Sequence, residues 1–149
     1  MTIRDARPDD LDEILALVRE LAEYEQEPGA VVFDRDEFAR NVFGPDPVAR
    51  VLIAEHDGAV AGMALYFRTF STWLGRDGIW LEDLIVRPAF RRHGHGRALL
   101  EALRTRTDGR VEWSVLDWNE SAHAFYRALG AASLGGWTIW RWPPLASPS

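Results

Sequence analysis

The sequence predicts an α+β fold, in one layered structure around a twisted mixed sheet. Strand and helix patterns follow one another irregularly, three strands form a meander in the middle, and no internal repeat or long linker divides the chain. A chain of 149 residues can bury a sizeable core. We therefore expect a single domain over residues 1–149.

Apolar periodicity and turn residues define the elements in order. A short strand precedes a helix that Pro8 and the acids after it open, and a second helix begins after Asp34, which can cap it. A third helix follows the glycines at 94 and 96, and a fourth follows the cap Asn119. The predicted strands are residues 2–7, 49–55, 60–70, 79–86, 111–116, 131–134 and 137–142.

The distribution of charge points to a small anionic ligand. The net charge is −6, yet residues 87–110 hold seven arginines against two acids, a balance of +5, which leaves −11 elsewhere. This balance argues against nucleic acid as a partner and favours a polyphosphate on the basic segment, with a cationic second ligand on the acidic remainder. An ordinary solvated helix face is the simpler alternative.

Composition excludes several classes of protein. The chain has no cysteine, which excludes disulfides, thiolate metal sites and cysteine nucleophiles. No apolar run has membrane-spanning length, and acids follow the amino terminus too closely for a signal peptide, so we expect a cytoplasmic protein without a membrane partner. The pair His93 and His95 lacks metal-site spacing to the other histidines, so we expect no metal.

A glycine-bearing basic loop lies between the 79–86 strand and the third helix. Its pattern is Arg91-x-x-Gly94-x-Gly96, and free N–H groups entering a helix in this way bind anions, phosphate above all. A dinucleotide-binding loop is one alternative, but Leu99 occupies the position of its third glycine and the motif lies in mid-chain. A basic turn without a ligand is the other.

This loop resembles the acyl-CoA-binding motif of the GNAT N-acetyltransferases. Within that superfamily the chain is most similar to the spermidine/spermine N-acetyltransferase group, including its thialysine-acetylating branch. The stretches that carry the similarity are residues 19–25, 71–76, 81–83, 91–96, 115–119 and 125–131. The resemblance implies a mostly antiparallel mixed sheet flanked by about four helices, acetyl-CoA as cosubstrate and a homodimer.

The resemblance also implies the roles of individual residues. Glu82 would take the amine proton, directly or through water, and Tyr126 would protonate the coenzyme A sulfur. The amine substrate would contact Tyr24, Glu25, Trp73, Glu82 and Asp83. The cofactor would contact Leu84, Ile85, Val86, Arg91, Arg92, His93, Gly94, His95, Gly96, Arg97, Asn119 and Tyr126.

The residues themselves leave simpler interpretations open. Glu82 lies among apolar neighbours, where burial would raise its pKa toward that of a general base, but a structural carboxylate would have the same setting. Tyr126 lies two helical turns after Asn119 and has the hydroxyl pKa of a suitable acid, yet a tyrosine packed in the core would follow the same pattern.

One departure from the polyamine pattern bears on the substrate. Polyamine enzymes of this group carry an acid two positions before the loop tryptophan, whereas Ser71 precedes Trp73 here, as in the thialysine branch. A shorter amine or an amino acid side-chain amine is then at least as good a substrate as a long polyamine. Acetylation of a protein or peptide amine, and a non-catalytic acyl-CoA-binding module, are the other functions considered.

Overall fold

A five-stranded mixed sheet is the framework of the protein. The computed structural model describes residues 1–145. Its strands are β1 (Thr2–Asp5), β2 (Arg50–His56), β3 (Ala59–Ser71), β4 (Arg76–Val86) and β5 (Val111–Glu112). They lie in the order β1-β2-β3-β4-β5, antiparallel except for the parallel pair β4 and β5. The predicted α+β class and mostly antiparallel mixed sheet are confirmed.

The described residues also form four α-helices, as predicted. They are α1 (Leu11–Tyr24), α2 (Arg35–Phe43), α3 (His95–Arg104) and α4 (Glu120–Ala128). Asp34 caps α2 by accepting the N–H of Glu37 at 2.9 Å, and Asn119 caps α4 by accepting the N–H of Ala122 at 3.3 Å. Each cap satisfies one of the first-turn amides that a helix cannot pair internally.

The contacts of the chain divide it into two compact units. Met1–Ser114 holds the whole sheet and α1 to α3, and a smaller unit from Val115 onward holds α4. The single domain over residues 1–149 stays a prediction, and its last four residues lie outside the described part of the chain. No helix among residues 1–145 has the length and apolar character needed to cross a bilayer.

The core of the larger unit lies on both faces of the sheet. Ile14 and Leu17 of α1 pack against one face, at the side chains of Val51, Ile53, Met63, Leu65 and Ile85. The other face of the sheet carries a second set of buried side chains, which includes Leu52, Ala64 and Leu81. Leu99 and Leu103 of α3, which contacts β2, β3 and β4, are fully buried.

Three strand predictions are wrong in extent or existence. The strand predicted over 111–116 is paired only at Val111 and Glu112. Within the described residues, 131–134 and 137–142 contain no strand, because alternating side chains make a strand only where a neighbouring strand supplies hydrogen bonds. The side chains of Trp137, Trp140 and Trp142 are 78%, 91% and 96% exposed.

Candidate functional site

A β-bulge in β4 lies at the candidate catalytic glutamate. Leu65 of β3 pairs with Asp83, but the next residue, Tyr66, pairs with Leu81, so Glu82 is one extra residue opposite β3. A bulge bends its strand and redirects side chains, and bulges are common next to active sites. Regular pairing from Val86 back to Asp83 places Asp83 opposite Leu65, a core residue on the face that α1 covers, and the bulge begins at Glu82.

The two neighbouring carboxyl groups differ in exposure. Glu82 is exposed, so the expectation that it is desolvated among apolar neighbours is wrong. Its carboxylate accepts a hydrogen bond from the indole N–H of Trp80 at 3.0 Å, which fixes its orientation. Asp83 is the less exposed of the two.

Asp83, Glu82 and Glu25 form an acidic cluster between β4 and the end of α1. Burial, and then the charges of Glu82 and Glu25, raise the pKa of Asp83 to about 6. Burial, and then Glu82, also raise the pKa of Glu25, the residue that ends α1. Tyr24, immediately before it, is 42% exposed. Carboxylates that disfavour one another's charge are relieved by a cation between them.

The glycine loop has the backbone of an anion site. Arg92 and Gly94 are left-handed, at φ 67° and φ 81°, and Gly94 is the N-cap of α3. No side chain caps α3, so its first-turn amides are not satisfied in that way. A Cβ built on Gly94 meets no protein atom within 4 Å, which leaves room for a ligand to approach the backbone. The loop therefore fits the phosphates of an acyl-CoA.

The arginines of the loop differ in their partners. Arg91 donates from Nε to the carbonyl oxygen of Val86 at 3.1 Å, and its guanidinium carbon lies 5.8 Å from the centre of the Tyr24 ring. This places the start of the loop beside the end of α1 that carries the acidic cluster. Arg97 pairs with Glu101 one turn along α3 at 2.8 Å, while Arg92 is exposed.

At the end of β4, backbone groups rather than side chains are available to a ligand. Ile85 is 8% exposed and belongs to the core, and Leu84 and Val86 are half-buried. In the described sheet, β5 pairs with β4 only at Ile79 and Trp80, so the edge of β4 beyond them faces no strand. The carbonyl oxygen of Val86 accepts from Arg91, and other backbone groups at such an edge can bind extended ligands.

The histidines of the loop separate into an exposed and a buried one. His93 is exposed, whereas His95 is 1% exposed and its Nε2 lies 2.9 Å from Nδ1 of His56. The side chain of His95 is thus directed into the protein, so its backbone is the part available to a phosphate. Among the described residues, no group of three or more histidines and acids is arranged to hold a metal ion.

The loop between β3 and β4 presents Trp73. This side chain is 80% exposed. Ser71 shapes the turn before it, because its Oγ accepts the N–H of Leu74 at 3.1 Å and its carbonyl accepts the N–H of Gly75 at 2.8 Å. The serine that stands in place of an acid therefore has a structural role in the loop.

Asn119 and Tyr126 lie in the smaller unit. Asn119 is the N-cap of α4, and Tyr126 is near its end, half-buried, with its ring centre 5.3 Å from that of Phe125. The larger unit brings together the acidic cluster, the glycine loop and the end of β4.

Sequence reasoning missed two residues, Trp80 and His56. Trp80 could have been found from its position two residues before Glu82 on one strand. His56 is 39 residues from His95, so no local sequence pattern indicates their contact.

The chain is similar to acetyltransferases that act on amines. It is 36% identical to a thialysine N-epsilon-acetyltransferase of Bos taurus, over 93% of this chain and 90% of that protein. It is 31% identical to the human spermidine/spermine N(1)-acetyltransferase-like protein 1, over 93% of this chain and 22% of that longer protein.

Similarity of fold extends to solved structures. An integron cassette protein from V. cholerae superposes with a TM-score of 0.78 at 22% identity, over 97% of this chain and 93% of that one. Residues 11–131 match the acetyltransferase (GNAT) family. Members of that family transfer the acetyl group of acetyl-CoA, and the chain belongs to it as an acetyltransferase of the GNAT family.

Proposed function

We propose that this protein transfers the acetyl group of acetyl-CoA to the primary amine of a small cationic substrate, by direct attack of the amine. The candidate substrates are diamines, polyamines and thialysine or lysine-like amines. The observation that carries the proposal is the acidic cluster of Glu25, Glu82 and Asp83 beside a loop suited to phosphate. A site that is anionic on one side and binds anions on the other fits a cationic amine and a coenzyme A ester.

The acidic cluster supports a substrate that arrives with positive charge. Burial first, and then the charges of Glu82 and Glu25, make ionisation of Asp83 unfavourable in the free protein, as its pKa of about 6 indicates. An ammonium group placed there offsets that repulsion, and the exposed rings of Tyr24 and Trp73 can contribute cation–π contacts. Asp83 and Glu25 then bind the substrate.

Cosubstrate binding is assigned to the loop and the neighbouring edge of β4. The backbone of residues 91–96 would hold the pyrophosphate at the start of α3, and Arg92 and Arg97 would add positive charge. The backbone of Leu84, Ile85 and Val86 would bind the extended part of the molecule. The open space over Gly94 supports this placement.

Two proton transfers complete the reaction. The substrate amine has a pKa of about 10.4 in water and must lose a proton before it attacks. Glu82 accepts that proton, directly or through water, and the hydrogen bond from Trp80 keeps its carboxylate in place. Tyr126 of the smaller unit donates a proton to the departing thiolate, and Asn119 contacts the cofactor.

The test compares the pH dependence of two variants on one good amine. Glu82→Gln and Tyr126→Phe should each lower kcat by about a hundredfold to ten-thousandfold at neutral pH. The Glu82→Gln deficit should shrink at high pH, where free amine needs no base, whereas the Tyr126→Phe deficit should persist. Glu23→Gln removes an exposed glutamate outside the cluster and serves as the matched control.

Each variant can contradict its assignment separately. A near-wild-type rate for Tyr126→Phe at neutral pH would remove it as the acid. A Glu82→Gln deficit that is constant from neutral to high pH would mean that Glu82 positions the amine. Turnover of thialysine, lysine, diamines and polyamines, compared with a peptide amine, identifies the substrate class, and binding of acetyl-CoA without turnover of any amine would favour a non-catalytic module.

Homodimer formation and cytoplasmic location are part of the same proposal. Large apolar side chains at Trp137, Ile139, Trp140 and Trp142 are 78–96% exposed, and exposed aromatics of this kind are common anchors of interfaces. We expect sedimentation at micromolar concentration to give a dimer. Cell fractionation tests the location.

A further inference from the structure

A hydrogen-bonded pair of histidines joins the β2–β3 turn to the first turn of α3. His56 ends β2 and His95 is the first residue of α3, and the 2.9 Å contact between His56 Nδ1 and His95 Nε2 links them. The rings of His93 and Phe90 lie 5.0 Å and 5.6 Å from that of His56. The two rings adjoin the glycine loop, and neither ring has a role in the function proposed above.

The contact requires one ring to donate and the other to accept, and the surroundings indicate which. Nε2 of His56 lies 3.5 Å from the carboxylate of Asp57, which favours a proton on that nitrogen. Nδ1 of His56 is then the acceptor, and His95 donates from Nε2. The remaining nitrogen of His95, Nδ1, is buried and has no hydrogen-bond partner among the described residues. A bare nitrogen there is more favourable than an N–H, because buried donors are rarely left unpaired.

We propose that His56 is a positioning residue for acetyl-CoA: its Nδ1 accepts the hydrogen bond of His95 and thereby fixes the first turn of α3, whose backbone binds the phosphates. This inference rests on the proposed function. His95 carries the first backbone amide after Gly94, so a shift of its ring moves the amides that would meet the ligand. His56 itself touches neither substrate nor cofactor.

The surroundings of His95 agree with a single proton on its ring. The titratable groups around the pair are Asp57, His93 and the amino group of Met1. Burial, and then the charges of His56 and His93, lower the pKa of His95, which favours its neutral form with one N–H to donate.

Two substitutions of His56 test the hydrogen bond. His56→Asn keeps an acceptor close to the position of Nδ1, and His56→Leu removes the acceptor. We expect His56→Leu to raise the KM for acetyl-CoA about tenfold, the usual effect of an unmade buried hydrogen bond, with kcat nearly unchanged. His56→Asn should stay close to wild type.

Imidazole nitrogen NMR of the free wild-type protein tests the pair without any variant. It should show His95 protonated at Nε2 only and His56 at Nε2. A His95 protonated at Nδ1 would overturn the inference, as would His56→Leu with wild-type KM or His56→Asn with a KM as high as that of His56→Leu. If the wild type binds acetyl-CoA but His56→Leu is unaffected, only this inference fails; if the wild type binds none, the proposed function fails with it.

Discussion

Replacement of Asp83 by asparagine tests the acidic cluster most directly, because it should stabilise the protein while weakening substrate binding. The pKa of Asp83 is about 6 in the folded protein, against 3.8 for an ordinary aspartate, and burial is the main cause. The folded state therefore holds this proton more tightly than the unfolded chain does. The stability that this bound proton contributes is complete below the ordinary pKa of aspartate and is lost as the pH rises through about 6.

The size of the effect follows from the two pKa values. Each pKa unit corresponds to about 1.36 kcal/mol, so the raised pKa of Asp83 lowers the free energy of unfolding by about 3 kcal/mol at pH 8 and by about half as much at pH 5. Asparagine cannot ionise and avoids this cost, although burial of its amide makes these values upper limits. We expect Asp83→Asn to stabilise the fold, with a larger gain at pH 8 than at pH 5.

Urea denaturation at the two pH values measures the difference, and Asp108→Asn, at an exposed position, is the control. Asp83→Asn should also raise the KM for the amine about tenfold, since a charge-assisted contact is lost. The reasoning from burial and repulsion would be refuted if Asp83→Asn were less stable than the wild type at pH 8. It would also be refuted if the substitution changed the free energy of unfolding equally at both pH values.

Three further predictions address the loop, the substrate and the interface. Gly94→Val should sharply weaken acetyl-CoA binding in calorimetry, whereas Gly136→Val, at a similar φ and equally open, should not; equal loss in both would mean general strain. Ser71→Asp keeps a capping side chain and adds an anionic contact, so kcat/KM for spermidine relative to thialysine should rise; an unchanged ratio would contradict the role given to Ser71. Trp140→Ser should weaken the dimer in sedimentation, whereas Val48→Ser, also exposed, should not; a monomeric wild type would refute the dimer.

The sequence predicted the elements of the site better than their detailed geometry. The glycine loop could be placed because its residues are local: a strand ended by Pro88, Gly94 in a left-handed conformation and a helix directly after it. The bulge at Glu82 could not, because it depends on how β4 aligns with Leu65 and Tyr66 of another strand. Glu82 is the extra residue of that shift and is exposed, whereas Asp83 keeps the regular register with Leu65 and is the less exposed of the two.

Long-range contacts and missing neighbours explain the other differences. The His56–His95 pair joins residues far apart in sequence, and no local pattern marks it. The carboxy-terminal segment has the alternating apolar side chains of a strand. Such a pattern describes only one strand, and a sheet also needs a neighbouring strand that supplies hydrogen bonds. Without a neighbouring strand in the described part of the chain, Trp137 and Trp140 remain exposed rather than paired.

The acidic cluster presents the proposed reaction with two opposed requirements, and the bulge offers a way to meet both. Carboxylates that attract an ammonium group also raise its pKa, so the better the amine binds as a cation, the harder it is to deprotonate. A single carboxylate would serve both purposes poorly. Instead, regular pairing with β3 keeps Asp83 on the face that α1 covers, near Glu25, and the bulge leaves Glu82 exposed and hydrogen-bonded to Trp80. Asp83 can then hold the cation while Glu82, in contact with water, accepts the proton and passes it to solvent. On this division Asp83→Asn should act mainly on KM for the amine and Glu82→Gln mainly on kcat, and equal effects of both variants on KM alone would contradict it.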